Sequence, residues 1–276
     1  MWNVSESTIK RWTESFGLRC FRTAGGHRRF RLEDLSEFQQ RHAFEATGVL
    51  SSEPWEHPEL EEWLNSRSYG MIRDLLFELA CFNRRPRVRR VLERLYLRGL
   101  GLEEIYDFVL VPLEEMVRGR LRSGEITRGQ ALLIQNNIED ALFFLAPKLI
   151  RRQGNGRMAL CASPCPHVRV HVALISWLLE VEGWEPVILG DQVPFDQITK
   201  MVEIEPVDLV CIFVGSHGGE VPAEGARELS EATRRLRIPL IVASGSEPRV
   251  PWADLEPETI HRSFRSLRKH LGELRL

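Results

Sequence analysis

Apolar residues recur at helical spacing through the first half of the chain, and past residue 157 they gather into short strand-like blocks separated by helices. From Ser5 to Phe16, Ile9, Trp12 and Phe16 share one helical face, with Ser5 as N-cap. A Gly25-Gly26 pair then sits between two short arms anchored by Phe21 and Phe30, the outline of a hairpin whose tip needs positive φ. Arg31–Phe38 starts a second amphipathic helix that closes a small core with Trp12 and Phe30. Residues 44–58 lose the periodicity and carry Gly48, Ser51, Ser52, Pro54 and Pro58, which marks a linker. Beyond it, stripes at Met71–Leu79, Val88–Leu95, Ile105–Met116 and Ile126–Leu149 predict four helices over residues 59–153. Breaks are expected at Pro86, at Gly99 with Gly101, and at Gly124.

Residues 154–276 change period. Strand-like runs at Met158–Ala162, Pro186–Leu189, Val207–Val214, Pro239–Ala243 and Thr259–Phe264 alternate with helical runs at His167–Glu182, Phe195–Val202, Ala223–Arg235 and the C-terminus. That alternation predicts an α/β, doubly wound parallel sheet, with a ligand crevice at the carboxyl ends of the strands. The crevice loops are Ser163–Val168, Gly190–Pro194, Gly215–Gly219 and Ser244–Pro248.

Charge sharpens the reading of the first 43 residues. The chain as a whole carries a net charge of -2, yet residues 1–43 hold eight Lys/Arg against five acids, and residues 18–31 hold five arginines, one histidine and no acid. A helix followed by a basic hairpin is the pattern of a winged helix-turn-helix on duplex DNA, against the plainer reading of a solvated basic loop. Ser5, Thr8, Lys10 and Arg11 are the candidates for the recognition helix, and Arg19, Arg22, His27, Arg28 and Arg29 for phosphate or minor-groove contacts. Such a domain also needs a first helix, and only four residues precede Ser5, so a truncated or late-assigned start is expected. The five scattered cysteines, the lack of a membrane-length apolar run and the lack of a signal segment point to a soluble protein of a reducing cytoplasm.

The segments Val4–Trp12 and Thr23–Phe30, together with Gly183-Trp184-Glu185-Pro186-Val187-Ile188-Leu189-Gly190 and Val193-Pro194, resemble MerR-type transcriptional regulators that carry a C-terminal cobalamin-binding sensor. The resemblance covers nearly the whole chain. It implies a winged domain, a four-helix cap, a flavodoxin-like sensor, binding to promoter DNA as a dimer or higher oligomer, and cobalamin as the family ligand. Carried over residue by residue, the ligand motifs are degenerate. The Asp, axial His and Gly of the cobalt-ligating loop fall on Pro166, Val168 and His171, and the Ser and Leu of the third strand's Ser-x-Leu fall on Phe213 and Gly215. The Gly-Gly after the fourth strand falls on Ala243 and Ser244. In the cap, Trp and Glu-His fall on Leu121 and on Ala131-Leu132. The expectation is a retained sensor fold with weakened or lost cobalamin binding, its tail slot plugged by a large ring.

Three further readings compete. Cys165, His167 and His171 could hold zinc or copper, and Cys165-Pro166 could serve as a haem thiolate with His167 or His217 opposite. Against these, Cys161 reads as a small buried apolar residue and His171 as a packed one. A light-responsive, cobalamin-dependent repressor is the family alternative. A catalytic subunit is disfavoured because no paired carboxylates or activated nucleophile stand out, so the chain is expected not to be an enzyme.

Overall fold

The computed structural model describes residues 6–22, 28–31, 34, 35, 38, 57–215, 223–244 and 260–274. Ser5, Gly25, Gly26, His27, His217 and most of the linker lie outside these residues, as do the side chains of Thr8 and Arg22. The chain divides into two compact units, one formed by residues 1–101 and 112–150, the other by residues 102–111 and 151–276. Leu102–Val111, expected in the helical cap, groups with the α/β unit instead.

In the first unit, helix α1 (Glu6–Ser15) precedes an antiparallel pair of strands, β1 (Phe21–Arg22) and β2 (Arg28–Arg29), with Phe21 opposite Arg29 and Arg22 opposite Arg28. Trp12, Leu18, Leu35 and Phe38 form one small buried cluster, with Ile9 and Phe30 packed against it. Trp12 and Phe38 meet with ring centroids 5.4 Å apart. Phe30 thus anchors its arm, whereas Phe21 is 52% exposed and anchors nothing. Its cross-strand partner Arg29 is exposed as well, which places both on the solvent face of the ribbon.

The rest of that unit is helical: α2 (Leu60–Asn65), α3 (Tyr69–Cys81), α4 (Arg85–Leu97), then α6 (Val111–Ser123) and α7 (Arg128–Leu145). The break expected at Pro86 falls between α3 and α4, and Pro86 itself occupies the first turn of α4, where its missing N–H has no intrahelical acceptor to lose. Gly124, at φ 78°, ends α6, and Thr127 then caps α7 in a reciprocal box with Gln130. Asn137, fully buried on α7, donates to Ala80 O on α3 and accepts from Arg85 of α4, so one amide satisfies polar groups of three helices.

The second unit opens with α5 (Leu102–Ile105), which continues as a π-helical turn at Tyr106–Leu110. Its sheet contains β3 (Met158–Ala162), β4 (Glu185–Gly190), β5 (Leu209–Phe213), β6 (Leu240–Ala243) and β7 (Ile260–His261), all parallel, in the order β4-β3-β5-β6-β7. The crossovers are α8 (Arg169–Val181), α9 (Phe195–Ile204) and α10 (Ala223–Leu236), and α11 (Phe264–Leu274) follows β7. Helices α8 and α11 pack with α5, while α9 and α10 pack on each other, as a doubly wound sheet requires. Gly183 between α8 and β4 sits at φ 87° and lies so close to Gln153 that a Cβ there would come 2.6 Å from its carbonyl oxygen. No helix among the described residues is long and apolar enough to cross a membrane.

Candidate functional site

Two regions collect the side chains that the sequence singled out. The first is the basic surface of α1 and its hairpin. Lys10 and Arg11 on α1 are exposed, opposite the buried Trp12, and Arg19, Arg29 and Arg31 are exposed along the hairpin. Arg28 differs from them. Its Nη2 donates to Oε1 of Glu14 on α1 at 3.1 Å, and only 22% of its side chain is accessible. The expected phosphate ligand is thereby engaged within the domain.

The second region is the carboxyl edge of the parallel sheet. Here the loop after β3 is closed by its own hydrogen bonds. Ser163 Oγ accepts from Cys165 N at 3.1 Å, Ser163 O accepts from Val193 N at 3.0 Å, and Cys165 O accepts from Gln192 N at 3.2 Å. Val168, at the N-cap of α8, donates its N–H to the carboxylate of Asp191 at 3.2 Å. The end of a helix that attracts anions therefore has an acid from the neighbouring loop against it. Pro166 is half-buried and Val168 is buried, and neither side chain has a nitrogen that could ligate a metal.

Above that loop four aromatic rings stand in file. The imidazole of His171, in the first turn of α8, stacks on Phe213 at the end of β5, 4.5 Å between centroids and 18° between planes. Tyr106 of the π turn meets His171 edge-on at 5.8 Å and stacks on Phe264 at 3.8 Å. Phe213, Tyr106 and Phe264 are essentially inaccessible. Offset and edge-to-face contacts of this kind add to the burial of the rings themselves. At the remaining motif positions, Ala243 and Ser244 are buried and Ser244 N donates to His261 O at 2.9 Å, while Gly215 O lies 3.9 Å from Cys165 Sγ. In the helical unit Leu121 is partly exposed, Leu132 is 51% exposed and Ala131 is half-buried.

The proposed metal set does not converge. His171 is held among rings, Cys165 is buried with its sulfur toward Gly215, and His167 is exposed at φ 60°. No group of three or more His, Cys, Asp or Glu among the described residues could hold a metal ion. Cys161 and Cys211 are register partners on β3 and β5. Burial raises both thiols, Cys161 well above the ordinary range with a further push from Cys211, and Cys211 to about 12. They behave as small apolar residues rather than as nucleophiles.

Several residues that hold this edge together carry no motif. Asp107 of the π turn accepts Phe264 N at 2.8 Å and Arg265 N at 3.0 Å, capping α11 with a carboxylate from elsewhere in the chain. Burial raises its pKa above the usual carboxylate range, and the two backbone N–H groups pull it partly back. Elsewhere in the unit, Arg268 donates to Glu103 at 2.5 Å and to Glu182 at 2.8 Å, and Arg152 lies 2.6 Å from the other oxygen of Glu182. His261 Nε2 and His270 Nδ1 approach to 2.7 Å, with Ser266 Oγ 3.2 Å from the far nitrogen of His261. The only hint of Asp107 in the sequence is an acid inside an apolar stripe, and a π turn has no reliable sequence signature.

No family model matches the chain, and no curated protein matches it in sequence. In structure it is similar to the monomethylamine corrinoid protein of Methanosarcina barkeri, at 14% identity and TM-score 0.57, over 74% of this chain and 99% of that one. It is also matched, at 14% identity each, to the methanol:cobalamin methyltransferase complex of the same organism (TM-score 0.30, 89% and 82% coverage) and to a cobalamin-binding protein from Desulfitobacterium hafniense DCB-2 (TM-score 0.26, 67% and 82% coverage). At this identity the first likeness establishes the fold. The chain carries a parallel α/β module with the fold of that corrinoid protein, in addition to a helical unit.

Proposed function

We propose that this protein is a non-catalytic, DNA-binding transcription regulator of the MerR type whose cobalamin-like module works without cobalamin. The observation that carries the DNA-binding half is the joint display of Lys10, Arg11 and Arg29, exposed on a helix and a hairpin whose elements share one small core. A helix and a β-ribbon held at a fixed angle suit a major groove and its flanking backbone, and a self-complementary dimer would match two half-sites. Fluorescence anisotropy with a promoter duplex tests it at several salt concentrations. Lys10→Ala, Arg11→Ala and Arg29→Ala are each expected to weaken binding and to flatten the dependence of log K on log salt by about 0.9 for each phosphate no longer neutralised. Unchanged affinity and slope in all three would sink the assignment.

The second half rests on the ring file. In the family pattern a histidine reaches the metal and an open slot takes the nucleotide tail; the matching axial position here is Val168, and His171 and Phe213 stack on each other at the sheet's carboxyl edge. The residues present do not fit the group. Adenosylcobalamin mixed with the protein is expected to keep its free spectrum and to elute separately on gel filtration. Co-elution with a shifted spectrum would refute this half alone.

A further inference from the structure

Between Thr8 and Arg31 the chain holds seven Lys/Arg and a single acid, Glu14. That acid is the one Arg28 bonds, from the hairpin across to α1, at 3.1 Å. Glu14 is itself half-exposed, at 53% of its side chain, on the same helix that presents Lys10 and Arg11. A carboxylate in this position has two effects on a polyanion. It repels phosphate directly, and it occupies a guanidinium that would otherwise take a phosphate oxygen in a bidentate pair. As a stabilising device the pair is weak, because exposed ion pairs contribute little to folding and are screened by salt. Its placement matters more for binding than for stability.

We infer that Glu14 is a specificity-determining residue of the DNA interface, which withholds Arg28 from indiscriminate phosphate contact. The inference rests on the DNA-binding reading above. Arg28, tied to Glu14, adds nothing to loose association with arbitrary duplex. It changes partner only where a close-fitting site brings a phosphate near enough to compete with the carboxylate. Non-specific binding is almost wholly electrostatic, so removing one repulsive charge and freeing one cation raises it more than it raises specific binding.

The experiment uses the full chain and two duplexes of equal length, one a promoter fragment that the protein binds and one of scrambled sequence, each titrated between about 50 and 200 mM salt. Glu14→Gln keeps the side chain's size and removes its charge. It is expected to strengthen binding to the scrambled duplex at low salt, to steepen its salt slope by about 0.9, and to narrow the ratio between the two duplexes about threefold. Arg28→Ala in the parent protein should leave the scrambled-duplex slope unchanged, and in the Glu14→Gln background it should restore the parent slope. That reversal is a readout a purely structural role for the pair would not produce. Equal slopes for Glu14→Gln and parent, or a reduced slope with Arg28→Ala alone, overturns the inference while leaving DNA binding standing. No binding of parent protein to either duplex at about 50 mM salt overturns the DNA-binding reading itself, and the two failures are thereby told apart.

Discussion

The imidazole of His171 lies nearly flat against the ring of Phe213, joining the first turn of α8 to the end of β5. Both positions face the carboxyl edge of a parallel sheet, where doubly wound folds receive their ligands. Here the protein's own side chains take that space, and Tyr106 and Phe264 extend the file. The packing gives an order of magnitude to the first prediction. Phe213→Ala should lower the unfolding free energy by about 3–5 kcal/mol, the usual range for a buried Phe cut to Ala. Urea titration followed by the fluorescence of Trp177 and Trp184, both buried in this unit, measures it. A drop under about 1 kcal/mol, near the scatter of exposed-site substitutions, would show that the rings are not close-packed.

Asp107 caps α11 at an electrostatic cost. Its acid form is favoured in the folded state because burial raises its pKa, so the folded protein holds more protons than the unfolded one just above pH 3.8. The contribution of this group to stability is therefore fully present below about pH 4 and declines as pH rises through the raised value. Asp107→Asn keeps an acceptor and removes the titration. The stability difference between parent and variant is expected to move in the variant's favour as pH climbs from about 3.5 to 6; a difference constant with pH would contradict the assignment.

His261 has the opposite sign. Burial, with the charge of His270 beside it, lowers its pKa to about 4 from 6.5, so the unfolded chain binds the additional proton between those values. Stability present above pH 6.5 is lost as pH falls toward 4, by roughly 3 kcal/mol at most. His261→Gln should flatten the urea-midpoint profile across this window, and a profile as steep as the parent's would exclude His261 as its source.

Arg268 sits between two carboxylates, of which Glu182 is only 2% exposed. Arg268→Met leaves Glu103 without this cation while Arg152 stays on Glu182, so the loss is expected to fall below the range of about 3–5 kcal/mol for a buried pair broken outright. The triple variant Arg268→Met, Glu103→Gln, Glu182→Gln is expected to recover much of that deficit. Chemical denaturation of the three proteins side by side decides it, and a single variant as stable as the parent would show that the cluster is already solvated.

Much of the architecture is legible in the chain. Alternation of period 2 and period 3.6 outlines the parallel sheet almost strand by strand, because burial on both faces forces continuous apolar runs such as Leu209–Phe213. Helical spacing places Trp12 in the small N-terminal core, with Phe30 packed against it. The sequence misleads at Phe21, which reads as an anchor but lies beside Arg29 on the solvent face of the ribbon.

Local composition and period suffice for the alternation of strands and helices after residue 157 and for the basic character of the hairpin that follows α1. The long-range partners are settled by folding in three dimensions: the His171–Phe213 stack, Asp191 at the start of α8, Asp107 on α11, and Arg28 turned to Glu14. These pairs join residues 14 to 157 positions apart. No local pattern encodes such a partner, because contact across that separation exists only once the intervening chain has folded.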